Sequence, residues 1–154
     1  MAHLHITTSL LGIGLAVFAK TSGSKGLQLY LPLNAPHTHD HASSFALAVA
    51  QVLGRANPDL VVTTQAKAAR PGKVLIDWSQ NSRHKTTICA YSLRARPRPT
   101  VSTPVTWDEV EATAQDGDPN RLIFEAADVL QRVERLGDLF EPVLTLRQVL
   151  PKPE

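Results

Sequence analysis

The sequence predicts an α+β fold in which a mainly antiparallel sheet is flanked by helices. Apolar and polar residues alternate from Leu27 to Leu33, a period of two that is typical of a half-buried strand ended by Pro32. Apolar residues recur at helical spacing over 45–53 and again over 125–136. Two β-prone runs, at 74–76 and 86–91, flank a polar loop and predict a hairpin.

Length and composition favour a single folded domain. The chain has 154 residues, of which 43% are hydrophobic and 19% charged. Because Cys89 is the only cysteine, an internal disulfide is excluded and a reducing cytoplasm is expected. The apolar run at 10–19 is shorter than the roughly 20 residues of a membrane-spanning helix, and histidines rather than basic residues precede it, so we expect core and no membrane association.

The charges are unevenly distributed along the chain. Between residues 67 and 100 there are eight basic residues and one acid, Asp77, whereas 107–141 holds ten acids and three bases. This asymmetry suggests that the middle of the chain faces phosphate and that the end is a solvated helical cap. Two merely solvated surfaces remain an alternative interpretation.

Capping residues and prolines set the expected order of the elements. Ser43 or Ser44 can begin a helix that Asn57 and Pro58 end, followed by a short strand at 61–63 and by the run at 74–76. The proline-rich stretch 96–104 must be extended.

Two helices follow this extended stretch. Thr106 and Glu109 form a capping box for a helix through about Thr113, with a loop at 115–120. The last helix, 125–136, is expected to end at Gly137.

A loop of small residues at 21–26, TSGSKG, directly precedes the first strand. Its backbone amides can converge while the hydroxyls and Lys25 supply donors for phosphate oxygens, although its spacing is not that of a Walker loop. A plain turn is the alternative interpretation.

Asp77 ends an apolar strand, a position from which a carboxylate can hold a hard cation. The predicted hairpin would gather Arg70, Gln80, Lys85 and Arg94 around it to neutralise a triphosphate. A strand-end cap or a surface ion pair is the alternative.

Other residues with metal-ligating or nucleophilic side chains are interpreted as structural or solvated. His37, His39 and His41 have a spacing that could ligate zinc, but a solvated loop is favoured. Cys89 alternates within a predicted strand and is expected to be buried. Trp78 and Trp107 are expected to pack in the core. Asp116 and Asp118 are expected to flank a helix, and His84 to lie at the surface.

Four blocks of sequence, in order, resemble the polymerase domain of bacterial ligase D, within the archaeo-eukaryotic primase superfamily. They are KTSGSKGLQLYLP at 20–32, GKVLIDWSQN at 72–81, KTTICAYSLRARP at 85–97 and TVSTPVTWDEV at 100–110. The resemblance extends over about 15–150. It implies the primase-polymerase fold, addition of dNTPs or rNTPs to DNA ends in non-homologous end joining, and a divalent metal, Mn or Mg.

The resemblance also implies roles for individual residues. Asp77 corresponds to a catalytic metal ligand. The serine-lysine loop corresponds to residues that contact the nucleotide phosphates, here Ser22, Ser24 and Lys25. Four further positions, Arg70, Gln80, Lys85 and Arg94, would contact the triphosphate or the template.

One departure from the family pattern bears on activity. Family members also carry two aspartates one residue apart, upstream of the serine-lysine loop, whereas the first twenty residues here contain no Asp or Glu. Two-metal transfer needs carboxylates that bridge both ions. We therefore expect residues 1–154 to form a single partial domain that lacks the N-terminal part of the family fold and is inactive alone.

Two alternatives remain open, a non-catalytic nucleotide- or DNA-binding module and a metal-storage protein that uses the histidines. The expected partners are DNA ends, with Ku and a separate DNA ligase, and the expected location is the cytoplasm in association with the nucleoid.

Overall fold

A three-stranded antiparallel sheet forms the centre of the computed structural model, which describes residues 14–151. Its strands are β1 (Phe18–Thr21), β2 (Leu27–Tyr30) and β7 (Pro104–Val105), in the order β2-β1-β7. In the register, Lys20 lies opposite Gln28. The predicted α+β class with a mainly antiparallel sheet is confirmed.

Two smaller strand pairs lie outside this sheet. β5 (Leu93–Arg94) and β6 (Thr100–Val101) pair antiparallel, whereas β3 (Val61–Val62) and β4 (Val74–Leu75) pair in parallel. The predicted hairpin between 74–76 and 86–91 is therefore wrong.

Local geometry explains why residues 86–91 do not form a strand. The carbonyl of Ile88 accepts a hydrogen bond from the side chain of Lys20, at 2.8 Å. Tyr91 adopts φ +64°, a left-handed conformation that ends extended backbone. The β-propensity of the sequence is overridden by the hydrogen bond from Lys20 and by the left-handed backbone at Tyr91.

The first long helix, α1 (His39–Ala56), begins earlier than predicted. Its N-cap is Thr38, whose hydroxyl accepts the amide of His41, rather than Ser43 or Ser44. The earlier start places Asp40 in the first turn, where a negative charge is favourable. His39 and His41 therefore belong to a helix and not to the predicted loop. The predicted end at Asn57 is confirmed.

Both later capping predictions are confirmed. Thr106 and Glu109 form a reciprocal capping box at the start of α2 (Trp107–Asp116), which runs beyond Thr113 until Gly117 adopts φ +69°. The last predicted helix is α3 (Ala126–Leu136), capped by Glu125 and ended by Gly137. A short helix, α4 (Glu141–Thr145), follows, and three 3₁₀ turns complete the elements: Lys67–Ala69, Trp78–Gln80 and Pro119–Leu122.

The core lies between the central sheet and helices α2 and α3. Its buried members come from β1, β6, β7, the two helices and the segment that precedes α3: Ala19, Val101, Val105, Val110, Phe124 and Val129. Val17 and Leu53 form a second buried cluster. Trp107 packs against both clusters, and its Nε1 donates to the carbonyl of Val17 at 2.9 Å.

The expectation of core at 10–19 is confirmed for its described part, whereas that for Cys89 is wrong. Leu15, Val17 and Ala19 are buried, and residues 10–13 lie outside the described range. Cys89 is exposed because the segment that carries it forms no strand. Within residues 14–151, no helix is long and apolar enough to cross a membrane.

Candidate nucleotide-binding site

Asp77 lies two residues after the end of β4, at the N-cap position of the 3₁₀ turn Trp78–Gln80. This is the strand end that the sequence predicted, although the partner strand is β3 and not residues 86–91. The turn folds the chain back, so that side chains two and three residues later reach the carboxylate. Asp77 is accordingly half-buried.

Three donors hold the carboxylate of Asp77. Its Oδ1 accepts from Ser79 Oγ at 2.6 Å and from Gln65 Nε2 at 3.0 Å. Its Oδ2 accepts from Gln80 Nε2 at 2.8 Å.

Two basic residues extend this arrangement on either side. Lys85 donates to the hydroxyl of Ser79. Arg70 donates to the backbone carbonyl of Gln65 and to its Oε1. We call these six residues the Asp77 cluster: Gln65, Arg70, Asp77, Ser79, Gln80 and Lys85.

The Asp77 cluster favours the ionised carboxylate. Partial burial of Asp77 opposes ionisation, but the hydrogen bonds from Ser79, Gln80 and Gln65 and the positive charge of Lys85 outweigh it. The pKa of Asp77 is held below its usual value as a result. A carboxylate can bind a hard cation, and basic residues around it can bind the phosphates that the cation carries.

The serine loop, residues 22–26, connects β1 to β2. Ser22 Oγ accepts the amides of Ser24 and Gly26 at 3.2 and 3.1 Å, and the amide of Ser22 donates to the carbonyl of Gly26. Because a serine oxygen has two acceptor positions and one donor, this arrangement leaves the O–H of Ser22 as the group that can donate to a phosphate. Lys25 is exposed on the same loop.

Gly23 brings the serine loop close to the rest of the fold. It adopts φ +63°, and a Cβ at this position would lie 2.7 Å from Arg94 Cγ and 3.0 Å from the amide of Ser102. Its carbonyl accepts the hydroxyl of Thr100. The loop therefore packs directly against β5 and β6, with Arg94 beneath it.

The structure divides the predicted site residues into two groups. Four of them, Arg70, Asp77, Gln80 and Lys85, belong to the Asp77 cluster. The other four, Ser22, Ser24, Lys25 and Arg94, belong to the serine loop and the strand beneath it. The hairpin that was expected to bring Arg94 to Asp77 does not form.

Sequence reasoning missed three polar side chains of these groups. Gln65 and Ser79 bind the carboxylate of Asp77, and Arg96 donates to the hydroxyl of Ser24. Ser79 lies within the WSQN block and Arg96 within the basic stretch, so both were visible as polar neighbours of predicted residues. Gln65 carries no such signal, because only the parallel pairing of β3 with β4 brings it to Asp77.

The histidines are placed near each other without forming a metal centre. His37 Nδ1 lies 3.3 Å from His41 Nδ1, and His41 Nε2 lies 3.2 Å from the carbonyl oxygen of Pro151. Among the residues that the structure describes, no three His, Cys, Asp or Glu side chains are grouped closely enough to hold a metal ion. Asp116 ends α2 and Asp118 caps the next 3₁₀ turn, as predicted for helix-flanking acids.

Comparison with models of protein families shows the family to which the chain belongs. The model of the LigD primase-polymerase domain matches residues 2–140. The chain belongs to the LigD primase-polymerase family. Its fold agrees with this membership, since the chain is similar to the solved polymerase domain from Mycobacterium tuberculosis ligase D in complex with DNA. That similarity has a TM-score of 0.85 at 44% identity and covers 96% of this chain and 49% of that chain.

Curated LigD proteins show the same relationship in sequence. The multifunctional non-homologous end joining DNA repair protein LigD of Mycobacterium tuberculosis is 49% identical over 132 residues, which are 86% of this chain and 17% of that protein. The bifunctional LigD of Bacillus subtilis is 31% identical over 125 residues, 80% of this chain and 20% of that protein. The chain thus spans about one fifth or less of these relatives.

Proposed function

We propose that this chain provides the nucleotide-binding part of a LigD-type polymerase, an enzyme class that adds dNTPs or rNTPs to DNA ends during non-homologous end joining. The observation that carries the proposal is the Asp77 cluster, in which one ionised carboxylate lies between Arg70 and Lys85. Residues 1–154 would then be a single part of the whole polymerase domain.

The two groups of residues divide the proposed binding of the nucleotide. Ser22, Ser24 and Lys25 would donate to the triphosphate, and Arg94 beneath the loop would add positive charge. In the Asp77 cluster, Arg70, Gln80 and Lys85 would neutralise phosphate or position the template.

A divalent cation, Mn or Mg, would be held by Asp77. The two carboxylate oxygens already accept three side-chain donors, and the described residues form no group of three or more His, Cys, Asp or Glu side chains that could hold a metal ion. A single cation completed by water and phosphate fits this arrangement, whereas a two-ion centre does not. We therefore propose that the chain alone binds nucleotide without transferring it.

A non-catalytic nucleotide- or DNA-binding module is the second candidate. The absence of a three-ligand acidic group among residues 14–151 favours it, together with the basic stretch 67–100. A basic surface of this kind binds the DNA backbone by releasing counterions, so its affinity falls steeply with salt. DNA ends are the proposed macromolecular partner, in association with the nucleoid, with Ku and a separate DNA ligase as further proposed partners.

A template-dependent primer extension assay with Mn²⁺ tests transfer by the full 154-residue chain. The proposal predicts no incorporation above that of an Asp77→Asn control, which conserves size and removes the charge. Incorporation above this control would contradict the proposed incompetence.

Binding measurements test the remainder of the proposal. Titration with a nucleoside triphosphate should show saturable binding that Asp77→Asn and Lys25→Ala weaken. Salt-sensitive DNA binding with no triphosphate binding would favour the second candidate, and neither kind of binding would overturn both.

A further inference from the structure

Lys20 is fully buried on β1 and has every N–H of its ammonium occupied. Its exposed fraction is 0%, which is exceptional for a lysine. Nζ donates to Gln28 Oε1 at 2.6 Å, to Ser102 Oγ at 2.7 Å and to the carbonyl oxygen of Ile88 at 2.8 Å. A lysine ammonium has three donors, so the three acceptors satisfy it completely.

These three bonds join the two halves of the candidate site. Lys20 stands two residues before Ser22 and therefore leads directly into the serine loop. Ser102 passes the connection on, because its hydroxyl donates to the carbonyl of Thr21 at 2.8 Å. On the other side, Ile88 lies three residues after Lys85 of the Asp77 cluster.

The bond to Ile88 has a clear structural consequence. Residues 85–89 form neither helix nor strand, so no regular ladder of backbone hydrogen bonds fixes their position. A charge-assisted hydrogen bond to a backbone carbonyl is one of the stronger ways to hold such a segment.

We propose that Lys20 is a positioning residue of the nucleotide site, which holds the segment carrying Lys85 against the strand that leads into the serine loop. The inference rests on the proposed function, because it assigns Lys20 to the same triphosphate. Lys20 itself touches no ligand in this account and acts through the two groups that it joins.

The charge state of Lys20 predicts that nucleotide binding depends on pH. Burial lowers its pKa to about 8, while the neighbouring Cys89 raises it and Arg94 lowers it further. The ring centroid of Tyr30 lies 5.6 Å from Nζ, and the pKa of Tyr30 is raised, so Tyr30 does not titrate near pH 8. A neutral amine has two N–H donors and cannot satisfy three acceptors, so the segment should loosen above pH 8.

The test measures the affinity of the full chain for dATP with Mg²⁺ from pH 7.5 to 9.5. The parent chain carries no substitution, so that the environment of Lys20 is unchanged. We expect the affinity of this parent chain to fall with a midpoint near pH 8. Lys20→Met should bind about tenfold more weakly at pH 7.5, the scale of one charge-assisted hydrogen bond, and should lose the fall with pH.

Lys73→Met is the matched control. Lys73 also donates to a backbone carbonyl, that of Pro58 at 2.6 Å, but it is exposed and lies outside both groups. Its affinity and pH profile should follow the parent chain.

The outcomes separate this inference from the proposed function. Absence of dATP binding by the parent chain would overturn both. Binding by the parent chain with an unchanged affinity and pH profile in Lys20→Met, even if its melting temperature falls, would overturn the positioning role alone. If Lys20→Met does not fold, the pH dependence of the parent chain is the deciding measurement. An affinity for dATP that stays constant from pH 7.5 to 9.5 would overturn the inference.

Discussion

The carboxylate of Asp77 accepts the side-chain amide of Gln65, twelve residues earlier in the chain, at 3.0 Å. Gln65 Oε1 in turn accepts from Arg70, so a neutral amide separates the carboxylate from the guanidinium. This arrangement orients the acid and the base without pairing them directly. Both charges remain available to a ligand.

Gln65→Ala should therefore weaken triphosphate binding about three- to tenfold, the scale of one solvent-exposed hydrogen bond. The fold should be unaffected, because Gln65 is exposed. Gln115→Ala is a matched control, since Gln115 Nε2 also donates to a carboxylate, that of Glu111. Equal affinities of the two variants, measured by titration calorimetry, would contradict a role for Gln65.

Substitution of Gly23 should lower the unfolding free energy by more than the cost of its left-handed backbone conformation alone. A left-handed residue costs about 1 kcal/mol when Ala replaces Gly. Gly23→Ala adds a Cβ 2.7 Å from Arg94 Cγ and 3.0 Å from backbone atoms, and overpacking of this kind costs about 1–3 kcal/mol more. Denaturant unfolding measures the difference.

Gly117→Ala is the matched control for Gly23→Ala. Gly117 has φ +69°, and no atom lies within 4 Å of the position that its Cβ would occupy. If both substitutions destabilise the chain equally, the close approach of the serine loop to β5 and β6 is not as described.

Arg132 and Glu109 form an ion pair that fixes α3 against α2. Oε2 of Glu109 lies 2.8 Å from Arg132 Nη2, and the side chains are 10% and 31% exposed for Arg132 and Glu109. Removal of one member of a fully buried pair costs about 3–5 kcal/mol. Because Glu109 is partly exposed and keeps its hydrogen bonds with Thr106, we expect a smaller loss of unfolding free energy for Arg132→Met, about 1–3 kcal/mol.

The control for this prediction is the exposed Arg135→Met on the same helix, which should change stability by less than about 0.5 kcal/mol. A loss in Arg132→Met no larger than that of this control would show that the pair contributes nothing to the fold.

The same ion pair predicts how stability depends on acid. Burial opposes ionisation of Glu109, but Arg132 and the groups of Thr106 outweigh it, so the pKa lies below its usual value of 4.5. A carboxyl group with a depressed pKa stabilises the fold above its unfolded pKa, and this contribution is lost as pH falls through the folded value. Stability should therefore decline below about pH 4.5, less steeply in Glu109→Gln. If the unfolding free energy of both proteins falls equally with pH, the stabilising role of the Glu109 carboxylate is contradicted.

Cys89 should react with a thiol reagent in the native protein, because it is exposed. We expect modification without prior unfolding, and a change of less than about 0.5 kcal/mol for Cys89→Ser. Protection of the thiol until the chain unfolds would restore the interpretation of Cys89 as a core residue.

Local signals in the sequence predicted the elements that they specify. The capping box of Thr106 and Glu109, the glycine that ends α3 and the strand that begins at Leu27 depend on residues close in sequence and were confirmed, although β2 ends at Tyr30 and not at Pro32. The four sequence blocks predicted the family, which was also confirmed.

Long-range pairing was not predictable in the same way. The apolar run at 74–76 is compatible with pairing to either neighbour, and only the folded chain shows that β4 joins β3 in parallel. Because this pairing was predicted wrongly, residues 86–91 were assigned to a strand and Cys89 was expected to be buried. The contact between Gln65 and Asp77 was missed for the same reason. For the candidate site, the residue types could be predicted from the sequence, but their division into two groups could not.

The most direct test is a crystal of the chain soaked with a non-hydrolysable nucleoside triphosphate and Mn²⁺. We expect a cation on Asp77 and phosphates between Lys85 and the serine loop, in contact with Lys25. Nucleotide and cation bound together at another surface, with both groups empty, would contradict it.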